Sequence, residues 1–352
     1  MVNDLQKLFS DMNFSQTDNS LTMNSRVLIV DGLNTFLRNY AAIPSMDENG
    51  NHIGGTHGFL KSLGYAIRNF KPTRVVVIFD GKGGSDRRRK LFPNYKSQRK
   101  VFTRLNRPQD FTTEQQDAEN MKFQLVTLMK ILNLLPITTI QVDGVEADDI
   151  MAYIALHVQS LGNEAIMYST DKDFLQLVSD GIKVFNPVKK KTFTADIVQE
   201  TYLTHPSNFV FYRALMGDKS DNIDGIRGAG EKTLHKLIPE LADSSVTVDY
   251  KFIENKYIDV KKKPKLIQNI LLNEDIIKRN LQLMDLHQQQ MSANIKINLL
   301  SHFNQTPPIV NKTELTKAMV RARIMSSFTN YDEWLSFSFL PLQRFYVNSN
   351  SK

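Results

Sequence analysis

Nine carboxylates recur in five short clusters: Asp31 after the apolar run Val27 to Val30, Asp80 after Val75 to Phe79, Glu146 with Asp148 and Asp149, Asp171 with Asp173, and Asp218 with Asp221. Any one cluster has a plain structural explanation, since an acid at a helix start complements the macrodipole or caps a turn. Five together at similar positions are hard to explain that way. Carboxylates converging in one hollow raise one another's pKa and oppose folding unless cations neutralise them. The chain has no cysteine, and its seven histidines show no paired spacing. Disulfides, thiolate catalysis and Cys-type zinc sites are thereby excluded, and oxygen ligands point to a hard cation, Mg²⁺ or Mn²⁺. Two such ions, roughly 3.5–4 Å apart, polarise a scissile phosphate, activate water and stabilise the leaving 3′-oxygen.

A concentrated cationic segment accompanies the acids. Residues 82–107 carry ten Lys or Arg against the single Asp86, a surplus of nine where the whole chain has a net charge of +7. An acidic metal pocket beside such a segment suits a polyanion held by its phosphates and cut.

The elements that must position these groups follow from periodicity. Apolar β-branched runs at Val27–Val30, Val75–Phe79, Ile137–Val142, Ala165–Ser169 and Ile182–Phe185 read as strands buried on both faces of a mostly parallel sheet. Between them the spacing predicts helices near Asn34–Tyr40, Gly58–Phe70, Thr113–Leu135, Val145–Leu161 and Asp171–Leu177, completing a doubly wound α/β core. Ligands bind beyond the carboxyl ends of strands in such sheets, where Asp31, Asp80, Asp143 and Asp171 all fall. After Asn186-Pro187, helices are expected near Thr194–Tyr202, Ser207–Met216 and Glu231–Leu237, then a long helical region through about Leu286. Pro307-Pro308 reads as a hinge into an aromatic-rich C-terminal segment with the only tryptophan, Trp334.

With 352 residues, 41% hydrophobic and 23% charged, the chain can bury a full core in two packed units. No stretch approaches the roughly 20 apolar residues of a spanning helix. The opening residues lack the apolar core of a secretory signal, so a cytoplasmic address and no membrane association are expected. In the polar stretch 1–24, Leu5, Leu8 and Phe9 share one helical face, either packed on the body or offered to a partner.

The motifs VDG at 30–32, FDG at 79–81, GVEADD at 144–149, STDKDF at 169–174 and GDKSDNIDGIRGAGEKT at 217–233, in order along the chain, resemble the flap endonuclease/5′-to-3′ exonuclease family. The similarity is closest in kind to stand-alone bacteriophage 5′ nucleases of the ribonuclease H type. It implies a PIN-like 5′-nuclease domain over 25–205, a basic helical arch at 82–120, a helical duplex-binding domain at 206–300 with a helix–two-turn–helix, and a docking segment at 301–352. It also implies that Asp31, Asp80 and Asp148 hold a first Mg²⁺, with Glu146 beside them, and that Asp171 and Asp173 hold a second, shared with Asp148. Asp218 and Asp221 act through water, and Asp149 completes the set. Lys96 and Arg99, in YKSQR, match the pair that contacts the scissile phosphate in phage members, with Lys82 and Arg88 as lesser DNA contacts. Gly225, Ile226, Arg227, Gly228, Ala229, Gly230, Lys232 and Thr233 match the duplex-gripping turn, where backbone carbonyls near Ile226 and Ala229 coordinate K⁺.

The implied activity is removal of 5′ flaps and of RNA primers from DNA by a monomer, with a sliding clamp (through Leu5, Leu8 and Phe9) and a single-stranded DNA-binding protein as partners; if the chain is phage-encoded, the setting is the host cytoplasm. Two departures stand out. Many bacterial members have Pro where this chain has Arg227, and Leu37 stands where an aromatic base-stacking residue is frequent, leaving Phe36 or Tyr40 as substitutes. Lys261, Lys262, Lys263 and Lys265 read as a second duplex contact or as a solvated loop. The rival readings are a PIN-like ribonuclease acting on single-stranded RNA, and a catalytically silent DNA-structure binder or clamp adaptor.

Overall fold

A computed structural model of the chain describes residues 22–98 and 113–347. Its centre is a six-stranded sheet of β1 (Arg26–Asp31), β2 (Arg74–Asp80), β3 (Thr138–Val142), β4 (Glu164–Tyr168), β5 (Ile182–Asn186) and β6 (Lys191–Phe193), in the order β3-β2-β1-β4-β5-β6. All neighbours pair in parallel except β5 and β6. The chain winds outward from β1 through β2 to β3, then returns to β4 on the other side of β1. The strand order therefore reverses between β1 and β4, and the crevice outside their carboxyl ends is the position where open α/β sheets bind ligands.

Alternation along the strands sorts the core into two faces. Val27, Ile29, Val76, Ile78, Ala165 and Met167 face helix α5 (Ala147–Ser160) and join one apolar cluster with Phe209, Leu234, Ile253, Ile267 and Phe303 of the later helices. Leu28, Val30, Val75, Val77 and Ile166 face the other way, onto α1 (Gly32–Ala42), α2 (Gly54–Phe70) and α4 (Glu114–Leu132). Between β2 and α4 lies the short helix α3 (Asp86–Leu91). The helical region is thus cored against the sheet itself, which holds its loops in register with the strand ends.

The strands and the helices flanking them match the periodicity. The region expected as a long helix to Leu286 is broken into α9 (Tyr250–Lys256), α10 (Lys265–Leu272) and α11 (Glu274–Met284), because Pro264 and Asn273 interrupt it. Asp171–Leu177 is not an α-helix: Asp171 Oδ1 accepts the Asp173 amide at 2.8 Å, and a tighter 3₁₀ turn runs over Asp173–Leu177. Strand β6 and the hairpin β7 (Gly217–Asp218) with β8 (Ile223–Asp224) are too short to leave a periodic signal. Helices α6 (Ala195–Tyr202), α7 (Pro206–Met216), α8 (Glu231–Leu237) and α12 (Ala293–Asn304) complete this side.

The C-terminal aromatic segment docks on the protein's own body. Helices α13 (Lys312–Arg321) and α14 (Tyr331–Ser338) place Leu315, Met319, Trp334 and Leu335 in the second cluster. Trp334 donates its indole N–H to the Leu60 carbonyl at 3.3 Å and lies over Gly64, where any Cβ would come within 2.6 Å of Nε1. Leu5, Leu8, Phe9 and Arg99 lie outside the described residues. Among the described residues no helix is long and apolar enough to cross a membrane.

Truncating Trp334 to Ala removes a buried aromatic wedge and its hydrogen bond together. The expected loss is about 3–5 kcal/mol, measured as the shift of the urea midpoint at constant m-value.

Candidate active site

Each acid owes its place to a backbone feature. Asp31 ends β1 and is the N-cap of α1, its Oδ1 accepting the Asn34 amide at 3.0 Å while Ser169 donates its hydroxyl to Oδ2 at 3.1 Å. Because β4 pairs with β1, Ser169 and Asp171 follow directly beside Asp31. Asp80 ends β2 and accepts the Ala147 amide at 2.9 Å, tying that strand end to the start of α5. Asp148 stands in the first turn of the same helix. Asp31, Asp80, Asp148 and Asp171 line one cavity of about 1000 Å³ at the carboxyl edge of the sheet, together with Lys96, Arg38, Lys189 and Lys219.

The remaining acids form a surrounding layer. Asp173 accepts from Arg213 Nε at 2.7 Å, and the same guanidinium reaches Asp218, so one arginine on α7 joins the clusters from two parts of the chain. Asp218 also accepts the Ser220 amide and hydroxyl at 2.7 and 2.6 Å. Asp221 fixes the approach of the cationic segment: its backbone carbonyl accepts the Lys96 amide at 2.9 Å.

Glu146 and Asp149 sit deeper. Glu146 is 2% exposed, and its Oε2 accepts from Arg88 at 2.8 Å, from Lys96 at 3.2 Å and from the Tyr95 hydroxyl at 3.2 Å. Among the described residues its Oε1 has no partner within hydrogen-bond geometry. Both oxygens of Asp149 are taken by Arg88, at 2.8 and 2.9 Å. Arg88, expected to face nucleic acid, is 3% exposed and spends its guanidinium on these two acids and the Leu283 carbonyl. The physical reason is that two buried carboxylates, Glu146 at the N-cap of α5 and Asp149 in its first turn, need a delocalised cation with several donors in a fixed fork, which lysine does not offer. Tyr95 packs with Ile223, Leu283 and Met284 in a small apolar cluster, and Lys96 takes a left-handed backbone (φ 56°) directly after it. That turn carries the Lys96 ammonium over the acids.

Electrostatics at the strand ends oppose ionisation. Burial, with Asp80 adding repulsion, pushes the Asp31 carboxyl up to about 6 against the pull of the Asn34 amide, Ser169 and Lys96. Burial and the neighbouring Asp173, Asp221 and Asp31 raise Asp171 to about 7. Asp148 is raised well above its ordinary value by burial and by Asp171, with Lys96 opposing. Burial also raises Asp173, and Arg213 offsets part of the effect. Glu146 runs against its burial: Arg88 and Lys96 hold it below its ordinary value. Asp218 is likewise low despite burial, through Ser220 and Arg213.

The donor set fits a hard divalent cation: oxygen ligands alone, and carboxylates that repel one another. Among the described residues no three Asp, Glu or His side chains are already gathered as a ready cage.

The cavity also contains residues that motif reading passed over. Arg38 lies seven residues after Asp31 on α1, two turns along the same face, and that spacing was readable. Lys189 is placed by a turn in which Asn186 Oδ1 accepts the Val188 and Lys189 amides at 3.0 and 2.9 Å. Arg213 carried no sequence signal, and Tyr95 stood in the YKSQR motif without a role of its own. The predicted duplex-gripping turn lies apart from the cavity, between β8 and α8. Gly225 passes so close to α7 that a Cβ would meet the Met216 carbonyl at 2.3 Å, and Gly228 is left-handed at φ 91°. Ile226 is buried, its carbonyl accepting the Ala229 amide at 2.9 Å, whereas Arg227, Gly228, Gly230, Lys232 and Thr233 are exposed. Lys82 is exposed at the edge of the cationic segment.

Residues 26–203 match the family model described as the 5′-3′ exonuclease N-terminal resolvase-like domain. The chain is 33% identical over 211 residues to the 5′-3′ exonuclease of Aquifex aeolicus, covering 60% of this chain and 68% of that protein. It is 30% identical over 243 residues to the 5′-3′ exonuclease of Buchnera aphidicola, covering 68% and 76%. Among solved structures, the bacteriophage T5 D15 protein co-crystallised with metal ions superposes with a TM-score of 0.60 at 23% identity, covering 85% of this chain and 99% of that one. A complex of T5 D15 flap endonuclease with DNA and metal ions gives a TM-score of 0.58 at 22% identity, over 85% and 99%.

Two outcomes are expected from these charges. With chelator present, the folded chain keeps protons on Asp31 and Asp171 between the ordinary carboxyl value of 3.8 and about 6 and 7 respectively, while the unfolded chain has released them. Their combined contribution to stability therefore falls as pH rises from 4 to 7. Urea midpoints across that range decline less in Asp171→Asn than in the parent, and Mg²⁺ added at pH 7.5 recovers stability in the parent. Replacing Arg88 by Met strands two buried carboxylates, and thermal and urea melts register a loss of about 3–5 kcal/mol.

Proposed function

The chain belongs to the 5′-3′ exonuclease family, and on the acid-lined cavity at its strand-order reversal we propose that it is a Mg²⁺-dependent, structure-specific 5′ nuclease that cuts 5′ flaps and removes RNA primers from DNA during replication. The observation that carries this reading is the meeting of Asp31, Asp80, Asp148 and Asp171 in one cavity with Lys96 over them. In this reading those four, with Glu146, Asp173, Asp218 and Asp221 around them, hold two divalent ions, Mg²⁺ or Mn²⁺. Asp149 acts through Arg88 as their rigid support. The ions supply Lewis-acid polarisation of the scissile phosphate and an activated water.

The chain's own residues supply positioning and field. Lys96, held by Glu146 and by the Asp221 carbonyl, presents an ammonium to the phosphoryl oxygens, where a preorganised cation stabilises the charge that develops as the bond breaks. Arg99 would add a second cation from the segment that follows. Arg38, Lys189 and Lys219 form no ion pair among the described residues and are available to the phosphates flanking the cut. Arg213 fixes the spacing of Asp173 and Asp218, so their carboxylates stay oriented while the cavity fills.

Duplex binding is assigned to the turn from Gly225 to Thr233. Its exposed amides and carbonyls, with Arg227 and Lys232 beside them, suit a phosphate and a K⁺ ion. Asn269 on α10 donates to the Arg227 carbonyl at 2.7 Å. Lys265 lies one turn earlier on the same helical face, so the lysines at 261–265 extend the cationic surface of this turn. Partnership of Leu5, Leu8 and Phe9 with a sliding clamp, contact with single-stranded DNA-binding protein, and monomeric, intracellular action complete the proposal.

Cleavage of a labelled 5′-flap duplex, assayed beside a plain single-stranded RNA, tests it. Mg²⁺-dependent cutting at the flap junction is expected, abolished by chelator and lowered by about 10²–10³ in kcat for Lys96→Ala. Cutting of the RNA strand with the flap left intact sinks the reading in favour of a single-strand ribonuclease.

A further inference from the structure

A second cavity, of about 500 Å³, lies on the other side of α4 from the acids. Helix α4 is the wall between the two: Met121 lines the acidic cavity, while Asn120 and Phe123 line the second. An α-helix with its side chains is about 10–12 Å across, so the cavities are one helix apart. The inner wall is built and rigid. Gln124 donates to the His52 carbonyl and to Asn120 Oδ1, both at 2.6 Å, and accepts the Thr56 amide at 3.1 Å. Tyr40 ties α1 to α4 by donating to the Asp117 carbonyl at 2.9 Å.

The rim has a different chemistry from the acid site. Phe123 is 62% exposed, far more than a benzyl side chain needs to be on a helix that packs along its length. Beside it stand Asn51, Glu119 and Asn120, and the end of α13 contributes Arg321 and Arg323. Arg321 forms no ion pair among the described residues, and Arg323 reaches only Asp47, at 3.7 Å. The lining pairs two arginines with Asp47 and Glu119, so it is near neutral and not a phosphate trap. An exposed aromatic face flanked by amides and guanidinium groups is the chemistry that receives an unstacked nucleobase, which stacks on a ring and hydrogen-bonds along its edge.

We propose that this cavity binds a base of the single-stranded 5′ extension of the substrate after the strand has left the acidic cavity, with Phe123 as the stacking platform and Arg321 on the base edge. The proposal rests on the nuclease reading for its substrate. It adds a length-dependent grip on unpaired strand to a chain that has Leu37 at the aromatic position frequent in the family.

The experiment measures dissociation constants by fluorescence anisotropy, in chelator, for duplexes bearing 5′ flaps of increasing length. Parent affinity is expected to rise about tenfold once the flap is long enough to cross one helix width, the order of one stacked base. Phe123→Ala loses that gain, with its own short-flap affinity as internal reference. A 2-aminopurine moved along the flap is quenched at one position in the parent and not in the variant. No gain with length in the parent, or a gain kept in Phe123→Ala, overturns the proposal. Because binding is read without Mg²⁺, absence of cleavage in the separate flap assay would count against the nuclease reading alone.

Discussion

Repulsion among carboxylates at the reversal between β1 and β4 is the constraint around which the rest of the molecule is arranged. Asp31, Asp148 and Asp171 are held where burial and one another's charge raise their pKa values. A fold with only a few kcal/mol in reserve tolerates such a group only if the scaffold is rigid and partial compensation is built in. Three cations provide it, each differently. Arg88 is buried under the site, Arg213 bridges its side, and Lys96 enters from above.

The scaffold explains why these cations hold their places. The parallel sheet is apolar on both faces, and the later helices share one of its two cores, so α7, with Arg213, and the Asp218–Asp221 hairpin cannot shift relative to the strand ends without disturbing packed residues. The C-terminal segment closes the opposite face through Trp334 and supplies Arg321 and Arg323 beside α4. A single sheet thereby carries an acidic cavity on its carboxyl edge and a near-neutral cavity one helix away. The turn from Gly225 to Thr233 lies beyond α7, and its Ile226 amide donates a hydrogen bond to the Leu215 carbonyl on that same helix.

Strand positions were legible because a strand buried on both faces reads as an uninterrupted β-branched run, and Val27–Val30 and Val75–Phe79 leave no other reading. The acids at strand ends were legible for the same reason, since topology sends every such end to one edge. Short elements were not: β6 and the β7–β8 hairpin have too few residues for a period, and the turn at Asp171 is decided by a side-chain hydrogen bond. Arg88 illustrates a different limit. In a run of three arginines, nothing local says which one faces inward, and burial of Glu146 and Asp149 selects the middle one.

Local pattern and strand-end position suffice for the five longer strands, the family motifs and the acids at the strand ends. Folding in three dimensions sets which cation compensates which acid, that Arg213 joins two clusters forty-odd residues apart, and that Phe123 stands exposed beside Arg321. Charge compensation and cavity walls depend on through-space distances between residues remote in the chain. Those distances are set by packing, and packing has no signature in the order of residues along any one segment.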